Sequence, residues 1–336
     1  DWEDRYLDRD QTSLATSWST AKSVVSTLIG IAISEGYISS VDQPASDFLP
    51  AWVGTDKEGQ VTIRDILTMK SGLRCPDGSN GGYIYYDEDQ LGVAINRELI
   101  SSGSENSEDP TRPWVYCNSD SMLLGEIVRN ATGYSAYEFG DRFLFSILGM
   151  QADWWRDPLD NSLTYCCIDA TSRDFGRFGL LWLNRGVWQG RNLLPAEFVD
   201  QALTQADIAF DQEDLGYGFQ WYIQSLFKDE EIEVQQLSYG TKGFHMNNIW
   251  LFPGLDMVVV RNSLYNRVLE AVDDTVRIGD LDALFRGEDV DVNVHGTLAP
   301  YNGMFIRGEF YPYNMKEGFA SLQESRLIRM ILESVQ

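Results

Sequence analysis

The sequence predicts an α/β fold of the α+β type, in which helices pack on an antiparallel sheet and a mostly helical region is inserted after the first helix. Three observations lead to this prediction. The apolar segment VVSTLIGIAI lies near the start, residues 37 to about 155 carry helical segments and loops, and strand-like segments cluster between 217 and 261.

The first helix is predicted over residues 19–36. Serines cluster at its start, and Gly36 follows its last residues as a helix-ending glycine would. The helix is apolar almost all round, which is typical of a buried, central helix.

Further helices are predicted downstream. The segments VTIRDILTMKSG, DSMLLGEIVRNATG and SAYEFGDRFLFSILGM have helical character, and another helix is predicted over residues 171–185. The segment 74–89 contains CPDGSNGG and YIYYDED, and its turn-forming and aromatic residues are typical of a binding loop.

Four strands are predicted, over residues 217–225, 231–239, 248–252 and 256–261. Pro253 and Gly254 form a turn between the last two, so an antiparallel arrangement is the simplest. Residues 264–313 have no clear period, and residues 321–334 predict a closing amphipathic helix.

Composition excludes several classes of partner. The chain has 336 residues, is 43% hydrophobic, and carries a net charge of −25. This charge argues against binding to a nucleic-acid backbone or an anionic membrane surface. The longest apolar run, residues 24–33, is shorter than the about 20 residues that span a bilayer, so we predict no membrane span.

No metal or cofactor is predicted. The four cysteines fit no zinc-binding spacing, and only two histidines are available. Four cysteines are also too few for a disulfide scaffold in a chain of this size.

The candidate nucleophile is Ser19, because Lys22 follows it by one helical turn at the start of the first helix. Residues three apart on a helix share a face, so the lysine amine can take the serine proton if burial keeps that amine neutral. The helix N-terminus favours an oxyanion on the substrate through the backbone N–H of Ser19.

An ordinary alternative is a helix-capping serine followed by a solvent-facing lysine. The chain holds a second Ser-x-x-Lys, at Ser225 and Lys228, which serves as a comparison. Because that segment is predicted to be a strand, its serine and lysine would point to opposite faces. We therefore assign no function to the second copy.

Four segments together carry a resemblance to a known superfamily. They are SWSTAKSVVSTLIGIAISEGYISSVDQPASDFLP, VTIRDILTMKSGL, WVYCNSDSMLLGEIVRNATGYSAYEF and ATSRDFGRFGLLWLNRG. Over residues 16–262 the chain resembles the serine β-lactamase-like hydrolases, which include class C β-lactamases, penicillin-binding peptidases, family VIII esterases and 6-aminohexanoate-dimer hydrolases. The resemblance implies a β-lactamase/transpeptidase-like fold, with an α/β domain from residues 1–36 and 170–336 and a mostly helical domain from residues 37–169.

The resemblance implies a second catalytic element of the form Tyr-x-Asn, here Tyr116-Cys117-Asn118. Tyr116 would pass a proton between the lysine, the serine and the leaving group, and the Asn118 amide would hold a substrate carbonyl. The alternative is a buried tyrosine with a backbone partner. The overlapping Ser119-Asp120-Ser121 is interpreted as the start of the next helix.

The third family element, Lys-Thr-Gly or His-x-Gly, is matched poorly. Thr241-Lys242-Gly243 has the letters in another order, and residues 243–247 align better with the stretch found in nylon-oligomer hydrolases. In that alignment Gly243 and Phe244 line the site, the Phe244 N–H is the second oxyanion donor, and His245 contacts substrate or is an ordinary strand histidine.

Other residues near the implied cleft are also candidates. Cys166 and Cys167 occupy positions that usually hold small residues, and we interpret them as packing residues rather than nucleophiles. Aromatic side chains could wall a substrate pocket or be plain core or surface: Trp114, Tyr83, Tyr85 and Tyr86.

Only 18 residues precede Ser19, whereas family members carry extra N-terminal strands, so these strands are either absent or trimmed from the chain. The compartment stays open between cytoplasmic and exported with a missing leader, and the oligomeric state stays open as well.

The leading hypothesis is a serine hydrolase acting on a carboxylic ester or small linear amide. Its alternatives are a β-lactamase or D-alanyl peptidase, and a catalytically silent binding or sensor protein.

Overall fold

The computed structural model describes residues 11–75, 84, 87–100, 112–206, 215–228, 233–262, 305–306, 309–310 and 324–335. The helices in these ranges are α1 (Thr20–Ser34), α2 (Ile63–Leu67), α3 (Gln90–Ile95), α4 (Asn118–Thr132), α5 (Ala136–Gly140), α6 (Ser146–Leu148), α7 (Ser172–Leu183), α8 (Ala196–Ala202) and α9 (Glu324–Ser334). A π-helical turn, Asp141–Phe145, joins α5 to α6.

The strands in the described ranges are β1 (Leu14–Thr16), β2 (Asp153–Trp154), β3 (Ile168–Thr171), β4 (Val187–Trp188), β5 (Arg191–Asn192), β6 (Leu215–Tyr217), β7 (Tyr222–Lys228), β8 (Glu233–Gly240), β9 (Asn248–Phe252), β10 (Met257–Arg261), β11 (Phe305–Ile306) and β12 (Glu309–Phe310). The main sheet has the order β10-β9-β8-β7-β6, and every pair is antiparallel. A smaller antiparallel sheet has the order β1-β3-β2. The predicted α+β fold with an antiparallel sheet is confirmed.

Helix α1 is the central element that the apolar sequence predicts. All of its residues from Thr20 to Ala32 are buried. Gly30 explains how closely it packs, because a Cβ there would lie 2.7 Å from side-chain atoms of Leu194 and Phe198. Helix α1 also packs against α4 and α5, two of the helices that follow it.

Helices cover both faces of the main sheet. Helix α7 packs on β9 and β10 from the side of the main core. Helix α9 covers the other face, where Ile328 is buried against Phe227, Trp250 and Phe252. The closing amphipathic helix predicted over 321–334 is thus present, with residues 321–323 outside the described ranges.

Helix starts follow the local sequence. Capping boxes begin α2 at Thr62, α5 at Ser135 and α7 at Thr171, and in each the acidic residue three positions later returns the hydrogen bond. Helix α4 ends at Gly133, whose φ of 80° is the left-handed conformation that glycine adopts readily.

The strand predicted over residues 217–225 is wrong, because the structure divides it into β6 and β7 with a hairpin between them. Gly218 lies so close to the Ala202 carbonyl that a Cβ would be 2.0 Å from its oxygen, and Gln220 has a φ of 62°. The Gln220 side chain is buried and donates to the Leu67 carbonyl at 2.8 Å. These contacts fix a turn where alternation of residue type suggested continuous strand.

Three further sequence interpretations concern described residues. Ser225 and Lys228 both lie in β7, as the discounted second Ser-x-x-Lys requires. Among the described residues, no helix is long and apolar enough to cross a membrane. The same residues contain no group of three or more side chains suited to hold a metal ion. The unpatterned segment 264–313 falls outside the described residues, apart from β11 and β12.

Candidate active site

The turn before α1 places Ser19 beside β3. The Ser17 N–H donates to the Ile168 carbonyl, and the Ile168 N–H donates to Ser17 Oγ, both at 2.8 Å. Trp18 has a φ of 48°, a left-handed conformation that is uncommon for a bulky residue. This sharp turn makes the half-buried Ser19 the N-cap of α1.

Lys22 lies at the centre of the candidate site. Its Nζ is 3.0 Å from Ser19 Oγ and donates to the Tyr165 carbonyl at 2.8 Å. The amine also lies 4.9 Å from the centre of the Tyr116 ring. The spacing of the motif therefore places the amine and the alcohol within hydrogen-bonding distance.

Burial controls the charge of this lysine. Lys22 is 1% exposed, and this desolvation lowers the pKa of its amine well below the ordinary value. An amine that is neutral at moderate pH has a lone pair for a proton. The arrangement is therefore chemically suited to a general base.

Tyr116 is affected by burial in the opposite direction. Desolvation raises the pKa of its hydroxyl to about 12, although a hydrogen bond with Ser19 partly opposes this shift. The phenol therefore keeps its proton at neutral pH. It contacts the same serine as Lys22 does, so amine, alcohol and phenol form one connected group.

The residues after Tyr116 begin α4. Asn118 is the first residue of the helix and is buried, and Asp120 lies in its first turn. Arg97 Nη2 donates to Asp120 Oδ1 at 2.6 Å, and both side chains are almost fully buried. Ser119-Asp120-Ser121 thus lies at the start of a helix, as interpreted from the sequence. The buried ion pair of Asp120 with Arg97 is a finding of the structure.

The segment after β8 borders the nucleophile turn. Phe244–Met246 forms a 3-10 turn, with Gly243 as its N-cap. The Phe244 ring packs edge-on against Trp18 with a centroid distance of 5.4 Å. The backbone of His245 lies in this turn and not in a strand, so the alternative of an ordinary strand histidine is wrong. The structure brings Gly243 and Phe244 next to the residues preceding Ser19, and their substrate-binding roles stay predictions.

We expect Gly243→Ala to lower kcat/KM by about 100-fold, because a Cβ at this position would lie 2.5 Å from the carbonyl oxygens of both Ser17 and Asn247. Either backbone must move, and small displacements of catalytic groups have effects of this size. Steady-state kinetics on an ester substrate measures the effect.

The matched control is Gly254→Ala in the following turn, where a Cβ would have no neighbour within 4 Å. Its kcat/KM should equal that of the unsubstituted protein. A Gly243→Ala protein with the activity of the Gly254→Ala control would contradict the placement of this turn.

Lys242 lies at the edge of an aromatic group beside Tyr116. Its Nζ is 3.4 Å from Glu324 Oε2 and 5.5 Å from the centre of the Tyr222 ring. The Tyr222 ring is in turn 6.4 Å from that of Tyr116. Thr241 points instead to α1, where its Oγ1 is 2.8 Å from Thr20 Oγ1.

Among the predicted wall residues, only Trp114 can be placed. Its ring lies 6.2 Å from that of Tyr116 and 5.5 Å from that of Tyr217. Tyr83, Tyr85 and Tyr86 fall outside the described residues. Tyr217 and Tyr222 were not candidates from sequence, since strand aromatic residues carry no signal that separates core from cleft.

Sequence reasoning also missed the Tyr165 carbonyl, because a main-chain acceptor leaves no signature in residue type. Thr164 Oγ1 donates to the Ser121 carbonyl at 2.7 Å, and the Tyr165 hydroxyl donates to Gln90 Oε1 at 2.6 Å. Both side chains are fully buried. The carbonyl that accepts from Lys22 is therefore held from α4 and from α3.

The interpretation of Cys166 and Cys167 as packing residues needs correction. They are buried, but they are joined to each other in a disulfide, which small-residue packing does not describe. A second disulfide joins Cys75 to Cys117. The four cysteines thus form two disulfides near the candidate site, one between adjacent residues and one that spans 42 positions.

Comparison with known proteins identifies the family and the fold. The family model described as Beta-lactamase matches residues 8–281. The chain is 24% identical over 267 residues to the 6-aminohexanoate-dimer hydrolase of Paenarthrobacter ureafaciens, covering 73% of this chain and 64% of that protein. Two of the solved structures with a similar fold illustrate the match. An octameric penicillin-binding protein homologue from Pyrococcus abyssi has a TM-score of 0.57 at 17% identity, with 83% of this chain and 67% of that one covered. A D-stereospecific amidohydrolase from Streptomyces has a TM-score of 0.55 at 17% identity, with 75% and 82% covered.

The chain belongs to the beta-lactamase family of serine hydrolases. The implied β-lactamase/transpeptidase-like fold is confirmed by these matches. The chain spans 64% and 60% of the length of two curated relatives, so it corresponds to less than two thirds of either.

Proposed function

We propose that this protein cleaves a carboxylic ester or a small linear amide through an acyl-enzyme on Ser19. The observation that carries the proposal is the 3.0 Å distance between Ser19 Oγ and the buried Lys22 amine. Burial favours the neutral amine, which can accept the serine proton as the hydroxyl attacks.

Tyr116 completes the proposed proton relay. Its phenol keeps its proton at neutral pH, so it gives a proton to the leaving group and regains one from the Lys22 ammonium, which holds the proton taken from Ser19. Ser19 Oγ forms the new bond to the acyl carbon, the ester or amide bond breaks, and the alcohol or amine departs with a proton. Water then releases the acyl group by the reverse sequence of proton transfers.

Backbone groups stabilise the proposed intermediate. The N–H groups of Ser19 and Phe244 are the proposed oxyanion donors, and the helix N-terminus at Ser19 adds favourable potential. The Asn118 amide and His245 are proposed to contact the substrate.

We further propose that the chain forms two domains on either side of this site, one of residues 1–36 with 170–336 and the other of residues 37–169.

Three observations favour an ester or linear amide over a β-lactam. The Lys-Thr-Gly anchor for a substrate carboxylate is absent from this sequence, and Lys242 already lies beside the Glu324 carboxylate. The relative from Paenarthrobacter ureafaciens is named as a hydrolase of the 6-aminohexanoate dimer, which is a linear amide. A β-lactamase or D-alanyl peptidase is the alternative enzyme, and a silent binding protein is the alternative outside enzymes.

The test compares a short-chain p-nitrophenyl ester with nitrocefin, using Ser19→Ala as the blank. We expect ester turnover to exceed nitrocefin turnover, and both to be absent from the blank. Nitrocefin turnover equal to or above ester turnover would reverse the substrate order. Mass spectrometry after treatment with a fluorophosphonate should show an adduct at Ser19, and a silent binding protein would show none.

A further inference from the structure

The Cys75–Cys117 disulfide is attached directly to the proposed proton relay. Cys117 lies between Tyr116 and Asn118, and its partner is 42 residues earlier in the chain. Cys117 is the N-cap residue of α4, yet its side chain makes no capping hydrogen bond. The disulfide therefore fixes a helix start that an oxygen-bearing side chain usually fixes.

The surroundings of the two sulfur atoms differ. Cys117 is 2% exposed, whereas Cys75 is half-buried. Arg97 Nη1 lies 3.5 Å from Cys117 Sγ, and the N-terminus of the 15-residue helix α4 is at the same place. Asp120, paired with Arg97, offsets part of the guanidinium charge, and Met69 Sδ accepts from the Cys117 N–H at 3.4 Å.

These differences predict how the bond is reduced. A positive group and a helix N-terminus favour a thiolate, so Cys117 is the better leaving group. Cys75 is the more accessible sulfur. An external thiolate should therefore attack Cys75 Sγ and release the Cys117 thiolate.

We propose that the Cys75–Cys117 disulfide positions Tyr116, and that its reduction by a small dithiol slows the acylation of Ser19. This proposal rests on the proposed function. One thiolate of the dithiol attacks Cys75 Sγ, the Sγ–Sγ bond breaks, and the electron pair leaves on Cys117. The second thiol of the reagent then closes its own disulfide and releases Cys75. Two electrons and two protons pass in total from the dithiol to the cysteine pair.

Reduction should displace the Tyr116 side chain but should not remove it from the candidate site. Tyr116 contacts Ser19 through its hydroxyl, and its ring packs against Trp114 and Tyr222. The Val115 N–H also still donates to the Met69 carbonyl. We therefore expect acylation to slow by about 10-fold, less than the effect of a 1 Å misplacement.

The second disulfide is an internal comparison. Cys166 and Cys167 are 1% and 2% exposed, so neither sulfur is accessible to the reagent in the folded protein. A dithiol that reduces Cys75–Cys117 should leave this pair intact. Alkylation followed by mass spectrometry identifies which cysteines have been reduced.

The experiment measures the rate of fluorophosphonate labelling of Ser19, together with kcat and KM for the ester, in oxidised, dithiol-treated and reoxidised protein. After dithiol treatment we expect alkylation at Cys75 and Cys117 alone, a labelling rate and kcat about 10-fold lower, KM within twofold, and recovery on reoxidation.

Cys75→Ala with Cys117→Ala should match the reduced protein and no longer respond to dithiol. Cys75→Ala with Cys117→Ser should regain part of the rate, because serine supplies a capping oxygen. Cys166→Ala with Cys167→Ala should keep the response.

Three outcomes would overturn the proposal. They are an unchanged labelling rate when Cys75 and Cys117 are reduced, reduction of Cys166–Cys167 before the other pair, and loss of the far-UV circular dichroism spectrum on reduction. The last would show a purely structural cross-link. Absence of any adduct at Ser19 in the oxidised protein would instead contradict the proposed function, so the two failures are distinguishable.

Discussion

Replacing Lys22 with methionine should lower ester hydrolysis by about 10³-fold and make the folded protein more stable at neutral pH. The loss of rate follows from removal of the proposed general base, since such groups contribute about 10²- to 10⁴-fold. The gain in stability follows from removal of an amine whose protonated form is disfavoured by burial.

The sign of the pH effect is fixed by the direction of the pKa shift. The pKa of the Lys22 amine is lowered in the folded state, so unfolding takes up a proton at any pH between the folded and unfolded values. Raising the pH therefore opposes unfolding. In that window the free energy of unfolding should rise by about 1.4 kcal/mol per pH unit relative to Lys22→Met.

Urea unfolding of both proteins across the neutral to alkaline range, alongside ester kinetics, measures these effects. Lys57→Met is the control. Like the Lys22 amine, the Lys57 amine donates to the backbone, here to the carbonyls of Ile95 and Arg97, but it lies outside the candidate site. It should retain ester hydrolysis. Parallel pH profiles of stability for Lys22→Met and the unsubstituted protein would show that the amine is charged and solvated, which would remove the proposed base.

Replacing Asp120 with alanine should lower the free energy of unfolding by about 3–5 kcal/mol, because it leaves the Arg97 guanidinium buried without its carboxylate. The two side chains are 1% and 2% exposed, and Ser71 Oγ also donates to the carboxylate at 2.9 Å. The pKa of the Asp120 carboxyl is raised overall, because burial raises it by more than Arg97 and Ser71 lower it.

The double substitution Arg97→Met with Asp120→Leu tests whether the stability lost in Asp120→Ala comes from the unpaired charge left on Arg97. Because two apolar side chains remove both desolvation costs, this protein should recover most of the lost stability. Urea titrations of the single and double variants give the comparison. If Asp120→Ala cost less than about 1 kcal/mol, the pair would behave as a solvated surface contact.

The elements with a strong period could be predicted from sequence. Helix α1 and strands β8 to β10 fall within a few residues of their predicted positions, because burial of one face or of the whole element controls their residue types. The hairpin at Gly218 could not be predicted, since it depends on the close approach of the Ala202 carbonyl at the end of α8.

The candidate site also has one part that the sequence predicts and one part that it does not. Ser19 and Lys22 are local in sequence, and helix geometry alone brings them together. The Tyr165 carbonyl and the cysteine pairing depend on tertiary structure. Spacing along the chain therefore does not predict that Lys22 has a backbone acceptor or that Cys117 is cross-linked.

The pairing of Ser17 with Ile168 has a consequence for how reactivity arises during folding. It joins segments separated by 151 positions, and the nucleophile turn depends on it. Contacts of such long range form late, because closing a long loop costs entropy before any contact offsets it. A chain that has formed only its local helices would hold serine and lysine one helical turn apart, without the desolvation that keeps the amine unprotonated and able to accept a proton. Chemical competence is thus a property of the completed topology and not of the motif.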